Sequence, residues 1–175
     1  MNTTPFRWLL LCACLLLSMQ SPAQSPDLIN EDRDLVRVMR HPDGSRAVYK
    51  RQMGWRGMRC ATYTASGRLA AINDYTEGEF GQLVACVIYN SERKPIYKVA
   101  YGYDSRARLI EERMFSHPDN KLVQRVIYRY DAGGNRAKPL IISLNTSGPA
   151  HNLAPTLTED VSKAHRSLRA NGNRR

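Results

Sequence analysis

From Leu35 to Leu144, apolar and polar side chains alternate with period two over short stretches, and each stretch ends in a cluster of Gly, Pro, Asn, Asp or Ser. Ile96–Tyr103 sets Tyr97, Val99, Tyr101 and Tyr103 on one side and Ile96, Lys98 and Ala100 on the other. Leu122–Tyr130 sets Leu122, Val126, Tyr128 and Tyr130 opposite Arg125 and Arg129. Successive side chains of a strand point to opposite faces, so this alternation predicts an antiparallel sheet with one dry face and one wet face. Leu35–Met39, Arg46–Met53, Met58–Tyr63, Leu69–Tyr75 and Leu140–Leu144 read as further strands, and Leu83–Tyr89, apolar on both sides, reads as a buried one. Arg106–Phe115 has helical spacing at Leu109, Ile110, Arg113 and Met114, but its strand-like neighbours decide for a strand. Turn clusters begin at His41, Gly54, Ala65, Glu77, Asn90, Asp104, His117 and Asp131, roughly every 11 to 14 residues. The expectation is an all-β fold, an antiparallel meander of about nine strands in a single sheet. Large open sheets twist until they curl, so a strongly curled sheet is expected. Its Tyr-rich face should point inward, with rings meeting across the hollow and no helix needed to fill it, and its Arg/Lys face should meet solvent.

One unit recurs within this series. Tyr101-Gly-Tyr103-Asp104 leads through Ser-Arg-Ala to Arg108-Leu109, and Tyr128-Arg-Tyr130-Asp131 leads through Ala-Gly-Gly to Asn135-Arg136. Two Tyr at i and i+2 share a strand face, the Asp can bond its own backbone to start a turn, and Gly133-Gly134-Asn135 tolerates the positive φ of tight hairpins. The first copy lacks Gly after Asp104, which predicts a longer type I loop there. Tyr63-Thr-Ala-Ser-Gly67-Arg68-Leu69 keeps the back half of the unit, and Tyr89-Asn-Ser-Glu-Arg93-Lys94-Pro95 is a degenerate version. This set resembles the YD repeat of the Rhs family. The resemblance implies hairpins winding into a hollow single-layered β shell, often around a toxin. Four copies are too few for such a shell, and no toxin-like domain follows them.

The ends of the chain change the picture. Arg7 precedes the apolar run Trp8–Leu17, which is followed by Ser21-Pro22-Ala23. That order predicts a secretory leader over residues 1–23, cleaved near Ala23, because the run is too short to span a bilayer. Leu11-Cys12-Ala13-Cys14 loosely resembles a lipobox, but Leu15-Leu16-Leu17 continues the apolar run, which speaks against a lipoprotein. The mature chain is then secreted or periplasmic, with no transmembrane segment. Residues 24–33 read as a flexible lead-in, 34–144 as the β-meander domain and 145–175 as a low-complexity basic tail. The tail's Ser, Thr, Asn and Pro cannot bury enough apolar surface to offset ordering, so a disordered or short-helical, solvated segment is expected. The one helix it could form is capped by Thr158 over Glu159–Ala170, with Val161, Ala164 and Leu168 on one side and Asn171-Gly172 at its end. Asn145-Thr-Ser147 fits a glycosylation acceptor, which matters only in a eukaryotic secretory route.

Catalytic chemistry is hard to find. The mature thiols, Cys60 and Cys86, fall on the third and fifth strands, about 9.5 Å apart by strand spacing, against a disulfide limit of about 7 Å between Cα atoms, so no bond is expected. Two cysteines without a paired motif do not make a zinc site, so no metal and no cofactor are expected. His41-Pro42-Asp43 matches the loop of J-domain co-chaperones, but its flanks are strand-like and the tripeptide recurs at His117-Pro118-Asp119, so turn chemistry explains both. Glu111 and Glu112 point to opposite faces and cannot pair for acid–base work. What remains is charge: formal net charge is +10, with Arg distributed along the sheet. Arg113, Arg125, Arg129 and Arg136 are the candidate anion-binding residues. With exposed Tyr and Trp55 they suit an anionic glycan or the cell envelope, and export argues against nucleic acid as partner. The reading is a non-catalytic binding or scaffolding protein, with self-association through sheet edges expected from their unpaired backbone. One alternative is an accessory or remnant piece of an Rhs-type toxin or secretion system. Another is an enzyme whose site uses His117 with Glu111 or Glu112 on the inner face of the sheet.

Overall fold

The alternating stretches all become strands of one sheet. The computed structural model describes residues 34–52, 54–144 and 154–172. All of them belong to one compact unit, Asp32–Arg175. The expected leader, the lead-in and the glycosylation acceptor lie outside the described residues. The strands are β1 (Asp34–Arg40), β2 (Arg46–Gln52), β3 (Gly57–Tyr63), β4 (Leu69–Glu77), β5 (Leu83–Tyr89), β6 (Pro95–Tyr103), β7 (Leu109–Ser116), β8 (Leu122–Ile127) and β9 (Leu140–Ser143). Each pairs antiparallel with its neighbours in chain order, giving a nine-stranded meander. The helical alternative at 106–115 is excluded, because β7 occupies Leu109–Ser116.

Six of the hairpins close identically. In the turn starting at Asp104, the Ala107 N–H donates to the Asp104 carbonyl and the Asp104 N–H to that of Arg108; the turns at His41, Thr64, Gly78, Asn90 and Asp131 repeat both bonds. The residue at the fourth position takes positive φ: Gly44, Gly67, Gly81, Arg93, Ala107 and Gly134. The Asp104 loop is therefore no longer than the others. Ala107 accepts a φ of 57° in place of the absent glycine. The Asp104 carboxylate holds the turn by accepting from the Arg106 and Arg108 N–H groups. The two Tyr-Asp units also match in three dimensions. The Tyr103 hydroxyl donates to the Leu83 carbonyl and that of Tyr130 to the Leu109 carbonyl, in each case at the start of the preceding strand.

One face of the sheet carries Tyr49, Met58, Cys60, Tyr75, Cys86, Val99, Tyr101, Met114, Val126 and Tyr128, all buried. Cross-strand registers place them in contact rows, such as Met58 opposite Tyr75, Tyr75 opposite Cys86 and Cys86 opposite Val99. Here the structure corrects two expectations: the rings do not fill this face alone, and the described part of the tail, 154–172, is not a solvated segment. Helix α1 (Glu159–Gly172) buries Val161, Ala164, His165 and Leu168 in the same core. The Thr158 hydroxyl accepts from the Val161 N–H at 3.3 Å, capping the helix start as its sequence indicates. Ahead of α1, Thr156 bonds Tyr75, Tyr101 and Glu112 of the central strands, and α1 ends against β1 and β2, where Gly172 meets Leu35. This part of the tail is a strap across the meander.

Candidate functional site

The strap is held by a buried carboxylate. Glu112, on β7, is 2% exposed. Its Oε1 accepts from the Tyr128 hydroxyl at 2.5 Å and the Leu157 N–H at 3.3 Å. Its Oε2 accepts from the Thr156 N–H at 2.9 Å and the Thr156 hydroxyl at 2.8 Å. Tyr101 shares a hydrogen bond with the same Thr156 hydroxyl, and the Tyr75 hydroxyl donates to the Thr156 carbonyl. A buried polar group is tolerable when its bonds are made, and here three of the four are made by a segment more than forty residues away. Glu112 is thus a structural anchor, fully engaged. Glu111 points to the opposite face, where Arg125 grips it with Nε and Nη2 at 2.7 and 2.6 Å. His117 sits in the β7–β8 turn, its N–H bonded to the Ile96 carbonyl.

A second polar cluster locks α1. Glu77 accepts from Arg51 Nη2 at 2.8 Å and lies 3.3 Å from His165 Nε2 and 3.4 Å from Arg169 Nε. Arg169 Nη1 also donates to the Gly81 carbonyl, and a β-carbon at position 81 would collide with that guanidinium. Burial raises the Glu77 carboxyl, but Arg51 and His165 outweigh it and hold the group below its ordinary 4.5. Burial pushes His165 below its ordinary 6.5, against the pull of Glu77. Burial likewise raises the Cys60 thiol to about 11 and the Tyr103 phenol to about 12, and drives Cys86, Tyr49, Tyr75, Tyr101 and Tyr128 higher still. These thiols and phenols stay protonated near neutrality, which suits packing and hydrogen-bond donation rather than nucleophilic attack. Cys60 and Cys86 are free, with β4 between their strands.

The candidate anion-binding arginines do not form one site. Arg113 and Arg125 are direct cross-strand partners on the uncovered face, with Glu111 between them. Arg129 is exposed. Arg136 lies over the Tyr128 ring, 5.1 Å from its centroid, and helps line a cleft of about 230 Å³ between α1 and the sheet with Tyr103, Ser162, His165 and Arg166.

A different constellation stands on the uncovered face. Arg59, Tyr63, Leu69, Ile72, Tyr89 and Arg93 line an open groove of about 290 Å³. Registers build it: Ala61 opposes Ile72, Ile72 opposes Tyr89, and a bulge after Thr62 brings Tyr63 opposite Leu69. Arg59 chelates Asp74 at 2.6 and 2.7 Å. Arg46 lies over the Tyr63 ring at 5.0 Å, and Arg93 stands exposed at the groove's end. Two ring faces, an aliphatic floor and guanidinium groups at the rim can take a flat, partly apolar, negatively charged ligand. Sequence reasoning named these residues only as scattered charges and repeat fragments. The signal was present in Tyr63 and Tyr89 as first residues of two repeat units, but their meeting across β4 depends on register.

Among the described residues no cluster of three or more His, Cys, Asp or Glu could hold a metal, and no helix is long and apolar enough to cross a membrane. No protein-family model matches the chain. No curated protein matches it significantly.

Proposed function

We propose that this is an exported, non-catalytic, YD-repeat-like β protein that binds or scaffolds an anionic glycan at the cell envelope, through the groove on its uncovered face. The observation that carries the reading is the pairing of Tyr63 and Tyr89 with Arg59 and Arg93 around Leu69 and Ile72. Sugar rings stack on aromatic faces, and their carboxylate or sulfate groups match guanidinium donors. Export rests on the leader-like run Trp8–Leu17. The YD-repeat-like reading is supported by the equivalent Tyr103 and Tyr130 bonds and by the repeated turn. Strong curl of the sheet is supported by register shifts in five successive pairings from β3–β4 to β7–β8, since bulges bend and twist a sheet.

The test is retention of the protein on immobilised heparin and polygalacturonate. The expected result is elution well above physiological salt, and a marked loss of retention in Arg93→Ala and Tyr89→Ala, whose side chains lie outside the core. Elution at low salt, or retention indifferent to both substitutions, would count against the groove as the binding site.

A further inference from the structure

We infer that the β1 edge is a self-complementary interface through which two copies of this chain join their sheets antiparallel, with the two-fold axis at Arg37. β1 is the last strand of the sheet on its side, and among the described residues nothing pairs with its outer edge. Its sequence, Asp-Leu-Val-Arg-Val-Met-Arg, reads nearly the same in both directions about Arg37. Antiparallel pairing about that residue sets Val36 against Val38 of the second copy and Leu35 against Met39. An isologous contact needs this property, because each residue must suit its mirror position.

Backbone geometry agrees. His41 both donates to Ser45 and accepts from Gly44, so its backbone groups face β2. Counting back by twos, Met39, Arg37 and Leu35 face β2 as well, and the N–H and C=O groups of Arg40, Val38 and Val36 are left on the open edge. In the inferred register these outward-facing residues meet one another, and pairs such as Val36 with Val38 of the second copy each exchange two hydrogen bonds. Arg37 falls at the non-bonded position on the axis, with Cα atoms about 4.5 Å apart.

The side chains favour the same occupant. Val36 and Val38 are 55% and 51% exposed on the uncovered face. Val38 begins an apolar row that runs through Val48, Ala61, Ile72 and Tyr89 to Pro95. A second copy would add its Val36 to that row, beyond which the row reaches that copy's Lys50. Of the usual defences of an edge, β1 lacks proline, lysine and a bulge, its pairing with β2 being regular throughout, and keeps only the charge of its arginines, Arg37 on the covered side among them. The opposite edge does have them. β9 has four residues and follows Pro139, so head-to-tail addition into open filaments is disfavoured. The unfavourable pair is Arg37 against its own copy, which keeps the association reversible.

The protein expressed from its full reading frame should sediment and elute at twice the chain mass at micromolar concentration. Val38→Lys puts a charge into the seam at an exposed position, so it should shift the equilibrium toward monomer by ~10-fold or more while circular dichroism stays unchanged. Arg37→Cys should form an interchain disulfide under mild oxidation, because the two Cα atoms lie within bonding range. Arg40→Cys should not, because its two copies lie at opposite ends of the seam. Cys60 and Cys86 are buried, and with Cys12 and Cys14 replaced by Ser in both cross-linking variants no other thiol competes. A wild-type protein that stays monomeric, a dimer that persists in Val38→Lys, or a cross-link at position 40 in place of 37 would each overturn the inference.

Discussion

Replacing Glu112 with Gln is the most direct probe of how the strap is held. The carboxylate accepts four hydrogen bonds, two from backbone N–H groups and two from hydroxyls, and it is buried. Gln keeps the shape but turns one acceptor oxygen into a donor nitrogen. The Tyr128 and Thr156 hydroxyls can rotate and accept from the new amide. The Thr156 or Leu157 N–H cannot, and one of them loses its partner whichever way the amide settles. An orphaned buried donor costs about 1–3 kcal/mol, and bonds to a charged acceptor weaken by a further amount of similar size when the charge is removed. The expected loss is about 2–4 kcal/mol of unfolding free energy, a large share of the stability of a domain this size. Urea titration followed by circular dichroism measures it. Thr156→Ala should lose about 1–2 kcal/mol, and the double variant should lose clearly less than the sum, because both act on the one bond between the Thr156 hydroxyl and the side chain at 112. Limited proteolysis gives an independent readout, with cleavage ahead of α1 accelerating in both single variants. Glu112→Gln within about 0.5 kcal/mol of wild type, or strictly additive losses, would refute the anchoring argument.

Other predictions follow from the same structure. Ala107→Gly and Arg93→Gly relieve positive φ in hairpins whose other copies use glycine, so each should stabilise by ~0.5–1 kcal/mol in the same urea assay. Acid should loosen the strap in two stages. His165 is depressed in the folded state, so its contribution is complete above pH 6.5 and fades as pH falls below that value; Glu77 is also depressed, so its contribution is complete above 4.5 and fades below it. Hydrogen exchange of α1 amides measured from pH 7.5 to 4 should rise on the acid side after correction for intrinsic rates, and a profile that is flat or rises toward alkali would contradict the sign. Cys60, raised to about 11, and Cys86, raised further, should resist a thiol reagent at pH 8 in the native protein and both react in urea.

The meander was legible in the sequence because its turns announce themselves. Gly44, Gly67, Gly81 and Gly134 occupy the positive-φ position, and Asn90, Asp104 and Asp131 bond their own turn backbones, so the strands between them had little freedom in where to begin. Where the pattern was misread, at Asp104–Ala107, the reason is that an L-residue can bear the αL conformation at a cost below that of losing a hairpin. Register was less legible than strand position. Tyr63 reaches Leu69 through a bulge, and a one-residue shift of that kind changes which side chains line the groove without leaving a mark in the alternation.

The strap was the least legible feature, for a reason that bears on how the chain folds. Its apolar stripe of Val161, Ala164 and Leu168 was visible, but the count of apolar groups after Ser143 argued for a solvated segment. That count omits hydrogen bonds between groups far apart in sequence. Glu77 meets His165 across 88 residues, and Glu112 meets Thr156 across 44. Each polar group is unfavourable in the core alone and acceptable only when its partner arrives. The Tyr-rich face of the sheet, with a carboxylate at its centre, is therefore not a finished surface to which a tail is added. Until Thr156 and Leu157 supply their N–H groups, Glu112 must keep water around it and the core stays open. The last residues described, rather than the long sheet that precedes them, complete the core.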